Sequence, residues 1–322
     1  MNSFPLLDLS ILPGKKTFEL FSLFQLVKLV KCSLSAKRAV QMCRLPLSQL
    51  EIEFMSEVDK LSAEYSGGGY SFFMTSRSSG STSNYGKRYD RLKEENRVES
   101  LSKLLLETFR VEGISVTFRD PFRSFQELRK CAGVIDAHSV TVDRGELSEE
   151  ELAYFLVNFK GIHTLNFHSS VPDGYQSFRF DCNTLTIRNG SFLDLQSLLN
   201  LKCEHIIIIQ CGFTTSDLQG YVNEWRDGKN PQLLSLSLYN TKMDDDILKG
   251  MCLEAWDPRR RSRDFVRVSR DSATVINCSE GLDFEREDGT LATILLKRDK
   301  TEFQLFVWKN KFPDIPDNAF KM

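Results

Sequence analysis

The chain has 322 residues, 41% of them hydrophobic and 27% charged, which is enough apolar material to bury a core in more than one structural unit. Its formal net charge of -2 supplies no general attraction to nucleic acid or to anionic lipid, so neither is expected as a partner. The eight cysteines form no C-x-x-C pair and no regular framework, which points to reduced, mostly buried thiols.

Residues 1–45 read as a compact helical module. Phe4, Leu6, Leu7, Leu9, Ile11 and Leu12 precede a Pro13-Gly14 break, and Phe18 to Leu34 is rich in Leu, Phe and Val. Leu20, Leu23, Phe24, Leu26, Val27, Leu29 and Val30 occupy nearly every side of a helix, so one apolar face is expected to meet the chain and another to remain for a partner. The apolar N-terminus lacks a positive segment and carries Asp8, so it does not read as a signal peptide, and no run reaches transmembrane length. A cytoplasmic or nuclear location, or both, is the expectation. The sequons at Asn189-Gly190-Ser191 and Asn277-Cys278-Ser279 then read as chance.

Residues 46–97 begin with a possible strand at Leu47, Leu50, Ile52 and Phe54 and then lose their pattern, reading as a variable linker or insertion. Gly67-Gly68-Gly69 and Ser76 to Gly86 are rich in Gly and Ser, a composition that recovers little ordering entropy through burial. Gly80 to Lys87 superficially suggests a phosphate loop, but its spacing is one residue too long and Arg88 replaces the magnesium-binding hydroxyl.

An amphipathic helix is expected from Val98 through Leu101, Leu104, Leu105 and Phe109, then a strand at Ile114, Val116 and Phe118, then a short helix through Phe122, Phe125 and Leu128. Strand and helix then alternate. Val140, Leu165, Leu185, Ile206 and Leu234 occupy equivalent strand positions at spacings of 20 to 28 residues, the range of a leucine-rich-repeat-like unit. The intervening helices carry Leu152, Phe155, Leu156 and Phe159 after Ser148 and Glu151, Leu195, Leu198 and Leu199 after Ser191 and Asp194, and Leu218, Tyr221, Val222 and Trp225 after Thr214 and Asp217. A last helix is expected at Ile247, Leu248 and Met251, capped by Asp244-Asp245-Asp246. Arg259, Arg260, Arg261, Arg263, Arg267 and Arg270 are flanked by aspartates and read as a solvated loop and strand rather than a phosphate-binding surface. Leu282 and Phe284, an Asp288-Gly289 turn, Ala292, Ile294 and Leu296, then Phe303, Leu305 and Val307 read as an antiparallel meander closing the open edge of the parallel strands.

Two sets of residues carry a family resemblance. Phe4-Pro5-Leu6-Leu7, Leu9, Phe18, Leu26, Leu29 and Cys32-Ser33 resemble an F-box of the nematode type. Asn189-Gly190-Ser191-Phe192, Trp225-Arg226-Asp227-Gly228-Lys229-Asn230-Pro231 with Leu233, and Arg286 to Ile294 resemble the type 2 F-box-associated domain of nematode F-box proteins.

The expected fold is α/β: a short N-terminal helical F-box-like module (1–45), the variable segment (46–97), and an irregular leucine-rich-repeat-like strand-helix solenoid with a C-terminal antiparallel β meander (98–312), with a non-solenoid α/β layer fold as the alternative. The resemblance implies a substrate-recognition adaptor of an SCF-type cullin-RING ubiquitin ligase. Pro5, Leu6, Leu7, Leu9, Leu26 and Leu29 would bind the SKP-family adaptor on the cullin scaffold, and the repeat-like domain would hold a target protein. An alternative stays open: a protein-interaction scaffold outside any ligase, whose N-terminal helices only cap the solenoid.

No catalytic constellation stands out. The histidines at 138, 163, 168 and 205 are scattered, no metalloprotease, nucleophile-elbow or cysteine-ligand spacing occurs, and His163 with His168 lacks nameable further ligands. No enzyme activity, cofactor or metal is expected.

Overall fold

The computed structural model describes residues 11–56, 58–65, 68–75, 98–121, 123–172, 179–268, 273–297, 299–317 and 319–321. It is a mixed α/β structure, with extensive β-sheet and few helices, in two compact units, Met1–Gly145 and Glu146–Met322.

The first unit opens with α1 (Ile11–Glu19), α2 (Leu23–Cys32) and α3 (Leu34–Cys43). Ser22 starts α2 by a reciprocal capping box with Gln25, and Ser33 caps α3 by accepting from the Ala36 amide, so orphan N–H groups are met at each short connection. Strands β1 (Pro46–Leu47), β2 (Gln49–Phe54), β3 (Val58–Tyr65) and β4 (Gly68–Thr75) follow, then α4 (Val98–Thr108), β5 (Arg110–Val111), β6 (Ile114–Phe118), α5 (Phe125–Leu128) and β7 (Ser139–Val142). In the sheet, β4-β3-β2 run antiparallel and β2-β6-β7 run parallel, with Ile52 beside Leu61 and Val116, and Val116 beside Val140.

The stretch after Phe54 is therefore two paired strands rather than the expected patternless linker. The alternation is present, since Asp59, Leu61, Ala63 and Tyr65 of β3 are all buried, but Asp59 disguises it. Its carboxylate lies under the Arg123 guanidinium at 2.5 Å, and Arg123 also holds Asp120, so a charge takes an inward position that pattern reading reserves for apolar residues. Ser76 to Gly86, with the phosphate-loop lookalike, lies outside the described residues.

In the second unit α6 (Glu149–Asn158) precedes β8 (Thr164–Phe167), β9 (Asp181–Ile187), α7 (Leu195–Asn200), β10 (Lys202–Ile209), α8 (Thr215–Arg226) and β11 (Ser235–Tyr239). Strands β8-β9-β10-β11 are parallel neighbours, with Leu165, Leu185, Ile206 and Leu236 in register. Ser148 with Glu151 and Thr214 with Asp217 form the expected capping boxes, and Leu218, Tyr221, Val222 and Trp225 are all buried. At α7 the cap is Asp194, which accepts from the Ser197 amide at 2.7 Å, and Ser191 lies outside the helix. The helix expected at Ile247 is only a 3-10 turn, Asp245–Leu248; Asp244 makes no capping bond and pairs with Thr215 of α8 instead.

After a short β12 (Glu254–Ala255), β13 (Asp264–Val268) and β14 (Ala273–Asn277) pair antiparallel, and β18 (Phe320–Lys321) joins β14. The meander β15 (Leu282–Glu285), β16 (Leu291–Leu296) and β17 (Glu302–Val307) turns at Gly289, whose φ of +81° suits glycine. Strand β17 pairs antiparallel with β11, closing the edge of the parallel strands as expected.

Candidate functional site

Pro5, Leu6, Leu7 and Leu9 lie outside the described residues. Leu26 is fully buried, in the stripe Leu23, Leu26, Val27 and Val30 of α2, so it is not available to a partner; Leu29 is half-buried. Helix α2 packs chiefly on α3, and a different side of it meets the strand pair β3-β4, which the sequence pattern conceals. Phe24 of α2 packs edge-on against Tyr70 and Phe72 of β4 at 5.6 and 4.7 Å, and the Tyr65 hydroxyl of β3 donates to the Phe18 carbonyl of α1. Burial pushes that phenol up to about 12, so it stays a neutral donor. Lys37 and Gln41 of α3 are fastened to Glu107 at the end of α4. Exposed apolar side chains remain at the helix ends, Leu20, Leu34 and Met42.

Two open surfaces stand out. In the first unit the sheet face opposite the core carries Glu51, Glu53, Lys60, Ser62, Ser115, Thr117 and Arg119, which line a cleft of about 200 Å³. Three of its charges are mutually engaged: Glu53 meets both Lys60 and Arg119, and Arg119 also reaches Asp143. In the second unit a groove of about 580 Å³ runs over Leu295, Leu296, Lys297, Glu302 and Gln304 of the meander, bounded by Asn277 and Glu280.

The arginine run is not uniformly solvated. Arg259 pairs with Asp257, Arg260 with Glu254 and Glu285, and Arg263 with Asp264. Arg261 has no exposed surface. It forms a fork on Asp283 at 2.8 to 2.9 Å, caps the Cys278 carbonyl and lies 4.8 Å over the Trp308 ring. Thr293 donates to the same carboxylate and accepts from the Trp308 indole, both at 2.7 Å, so this buried pair is fully hydrogen-bonded. Arg270 is outside the described residues.

Six of the eight cysteines are buried and all are free. Burial raises Cys131 and Cys211 to about 11 and Cys278 to about 12. Cys182 is pushed up by the hydrogen bond with Cys203, 3.5 Å away on the next strand, and then by burial. Such thiols stay protonated near neutrality and are poor nucleophiles. Among the described residues no group of three or more His, Cys, Asp or Glu is placed to hold a metal ion, and no helix is long and apolar enough to cross a membrane.

The three stretches carrying the family resemblance have physical roles in the second unit. Trp225 is fully buried, with Phe284 edge-on at 5.5 Å and the Arg286 guanidinium 4.2 Å over its ring, so two of the stretches meet in space. Asn230, with φ +48°, turns the chain after α8 and donates to Tyr221. Gly190 lets the third stretch pass against Ile208, where a Cβ has no room.

Residues 175–238 match the family model described as F-box associated. Two curated relatives, both named as uncharacterized proteins of Caenorhabditis elegans, F59B2.9 and F59B2.8, are 27% and 28% identical over 133 and 136 residues. Each match covers 40% of this chain and 31% of the relative, so it spans about a third of the curated proteins' length. No solved structure matches.

Proposed function

We propose that this chain, which carries a nematode-type F-box associated region, is a substrate-recognition adaptor of an SCF-type cullin-RING ubiquitin ligase. The observation that carries the reading is the family match over residues 175–238, which is also the β9-α7-β10-α8-β11 segment of the second unit. On this reading the strand-helix units act as an irregular leucine-rich-repeat-like target-binding domain, and α1–α3 with the residues before them form the F-box-like module. The chain works without a nucleophile of its own, in the cytoplasm or nucleus, because holding a target beside a ubiquitin-charged enzyme raises the effective concentration of the two reactants. Burial of Leu26 revises the docking surface, which then consists of Pro5, Leu6, Leu7, Leu9 and Leu29, joined by the exposed Leu20 and Leu34.

A second reading has one observation in its favour. Phe18, Leu23, Leu26, Val27 and Val30 are committed to the core of their own unit, as expected of a scaffold whose helices only cap it. Capture of an SKP-family adaptor by the full chain, compared with a chain lacking residues 1–10 and with Leu29→Asp, separates the two. Loss of capture with an unchanged melting temperature supports the adaptor reading; failure of the intact chain to capture the adaptor leaves the scaffold.

A further inference from the structure

Arg267, in the second unit, is a partly buried cation whose guanidinium meets no carboxylate among the described residues. Within the arginine run, Arg259, Arg260, Arg261 and Arg263 each meet a carboxylate, whereas the Arg267 guanidinium makes no hydrogen bond or ion pair with any described residue and its Nη1 is buried. Arg267 stands two residues from Phe265 on β13, so both side chains leave the strand on one side. That side faces the sheet, since the Phe265 ring lies 4.8 Å from Phe306 of β17.

The sheet surface it meets is polar. On β10, β11 and β17 the register sets His205 beside Ser235 and Ser235 beside Phe306, and two residues along sets Ser237 beside Gln304. The charge of Arg267 is felt by both His205 and Tyr239, the corners of this patch, with Ser237 between them. Ser237 is 1% exposed, and its hydroxyl has no partner among the described residues. Tyr239 accepts from Gln304 at 3.4 Å, with its own proton uncommitted among the described residues, and Gln304 is also part of the floor of the 580 Å³ groove. Neighbouring carboxylates are engaged elsewhere: Glu302 by Lys297, Asp264 by Arg263, and Glu204 by Asn183 and Lys309.

We propose that Arg267, Ser237 and Tyr239 form an oxyanion-binding site that receives one carboxylate or phosphoryl group from the target protein, whose flanking residues lie in the adjoining groove. A guanidinium offers a planar fork that fits two oxygens of such a group, and hydroxyl donors complete the set. Leaving a desolvated cation and a buried hydroxyl unpaired is unfavourable, so an anion that satisfies both gains affinity at this point of the surface. The inference deepens the target-recognition reading and rests on it only for what carries the anion.

The test uses the full chain with inorganic phosphate and acetate as probes, followed by calorimetry and thermal shift. Pools of peptides bearing phosphoserine, glutamate or serine at one fixed position then distinguish the phosphoryl from the carboxylate source. At least one probe is expected to bind and to raise the melting temperature. Arg267→Met should abolish binding, and Ser237→Ala should weaken it about tenfold, the scale of a lost hydrogen bond to a charged group. Absence of binding by both anions, or equal binding by Arg267→Met, overturns the site. Should Arg267→Met fail to fold, Arg267→Lys and Ser237→Ala become decisive, and unchanged affinity in both overturns the site. Adaptor capture is read in parallel: Arg267→Met should retain it, so failure of the anion site and failure of the ligase reading are separately visible.

Discussion

Arg261 and Arg267 lie six residues apart in one arginine-rich stretch of the second unit, and the structure treats them in opposite ways. Arg261 is wholly buried, and its charge is answered by Asp283, two carbonyls and the Trp308 face, with Thr293 and the indole completing the network. Arg267 is partly buried, facing hydroxyls and a neutral imidazole, and no acid among the described residues meets it. The difference teaches that a charge inside a β-rich protein can serve two ends: closed on itself it holds a fold together, and left open it waits for a ligand.

Breaking the closed network should have the largest effect. Asp283→Ala strands the Arg261 guanidinium and is expected to lower the unfolding free energy by about 3–5 kcal/mol, read by urea denaturation. Arg261→Met combined with Asp283→Leu should recover most of that loss, since no charge is then stranded; a double variant as unstable as the single one would mean the network is held by packing instead.

Acid should act on the open region. Burial, then Arg267, with Lys309 and His163 in the same sense and Glu204 opposed, hold His205 down to about 4. The unfolded chain binds this proton more tightly, so the stabilisation is fully present above the ordinary histidine pKa and is lost as pH falls from there through the folded value. The loss is about 3 kcal/mol. Equilibrium unfolding at a series of pH values should show that slope, flatter in His205→Asn and shallower in Arg267→Met, which removes one of its causes. Thr293→Val, which deletes one donor and one acceptor among buried groups, should lower stability by about 1–3 kcal/mol. Smallest of all, Arg267→Met should leave the melting temperature unchanged or slightly raised; a clear drop would show that Arg267 is structural after all.

Much of the second unit is legible in the sequence because its signals are local. Capping boxes at Ser148 and Thr214, the stripe Leu218, Tyr221, Val222 and Trp225, and the turn at Asp288-Gly289 depend on residues a few positions apart, which is the range over which helix and hairpin geometry operate. The first unit is less legible. Strands β3 and β4 are hidden by a buried Asp59 and by glycines at the start of β4, and without them the Phe24 side of α2 looks uncovered. Leu26, expected on a docking surface, belongs to the core of its unit, on the other side of α2 from Phe24.

Composition and short-range pattern by themselves determined the α/β class, the parallel strand-helix order of residues 164–239, the closing meander and the state of the buried thiols, because propensity, capping and period act within one element. Only the tertiary structure decided which side of α2 is covered, which arginine is paired and which is bare. Those outcomes depend on partners as distant in sequence as Arg123 is from Asp59 or Asp283 from Arg261, and no spacing rule reaches across such a separation.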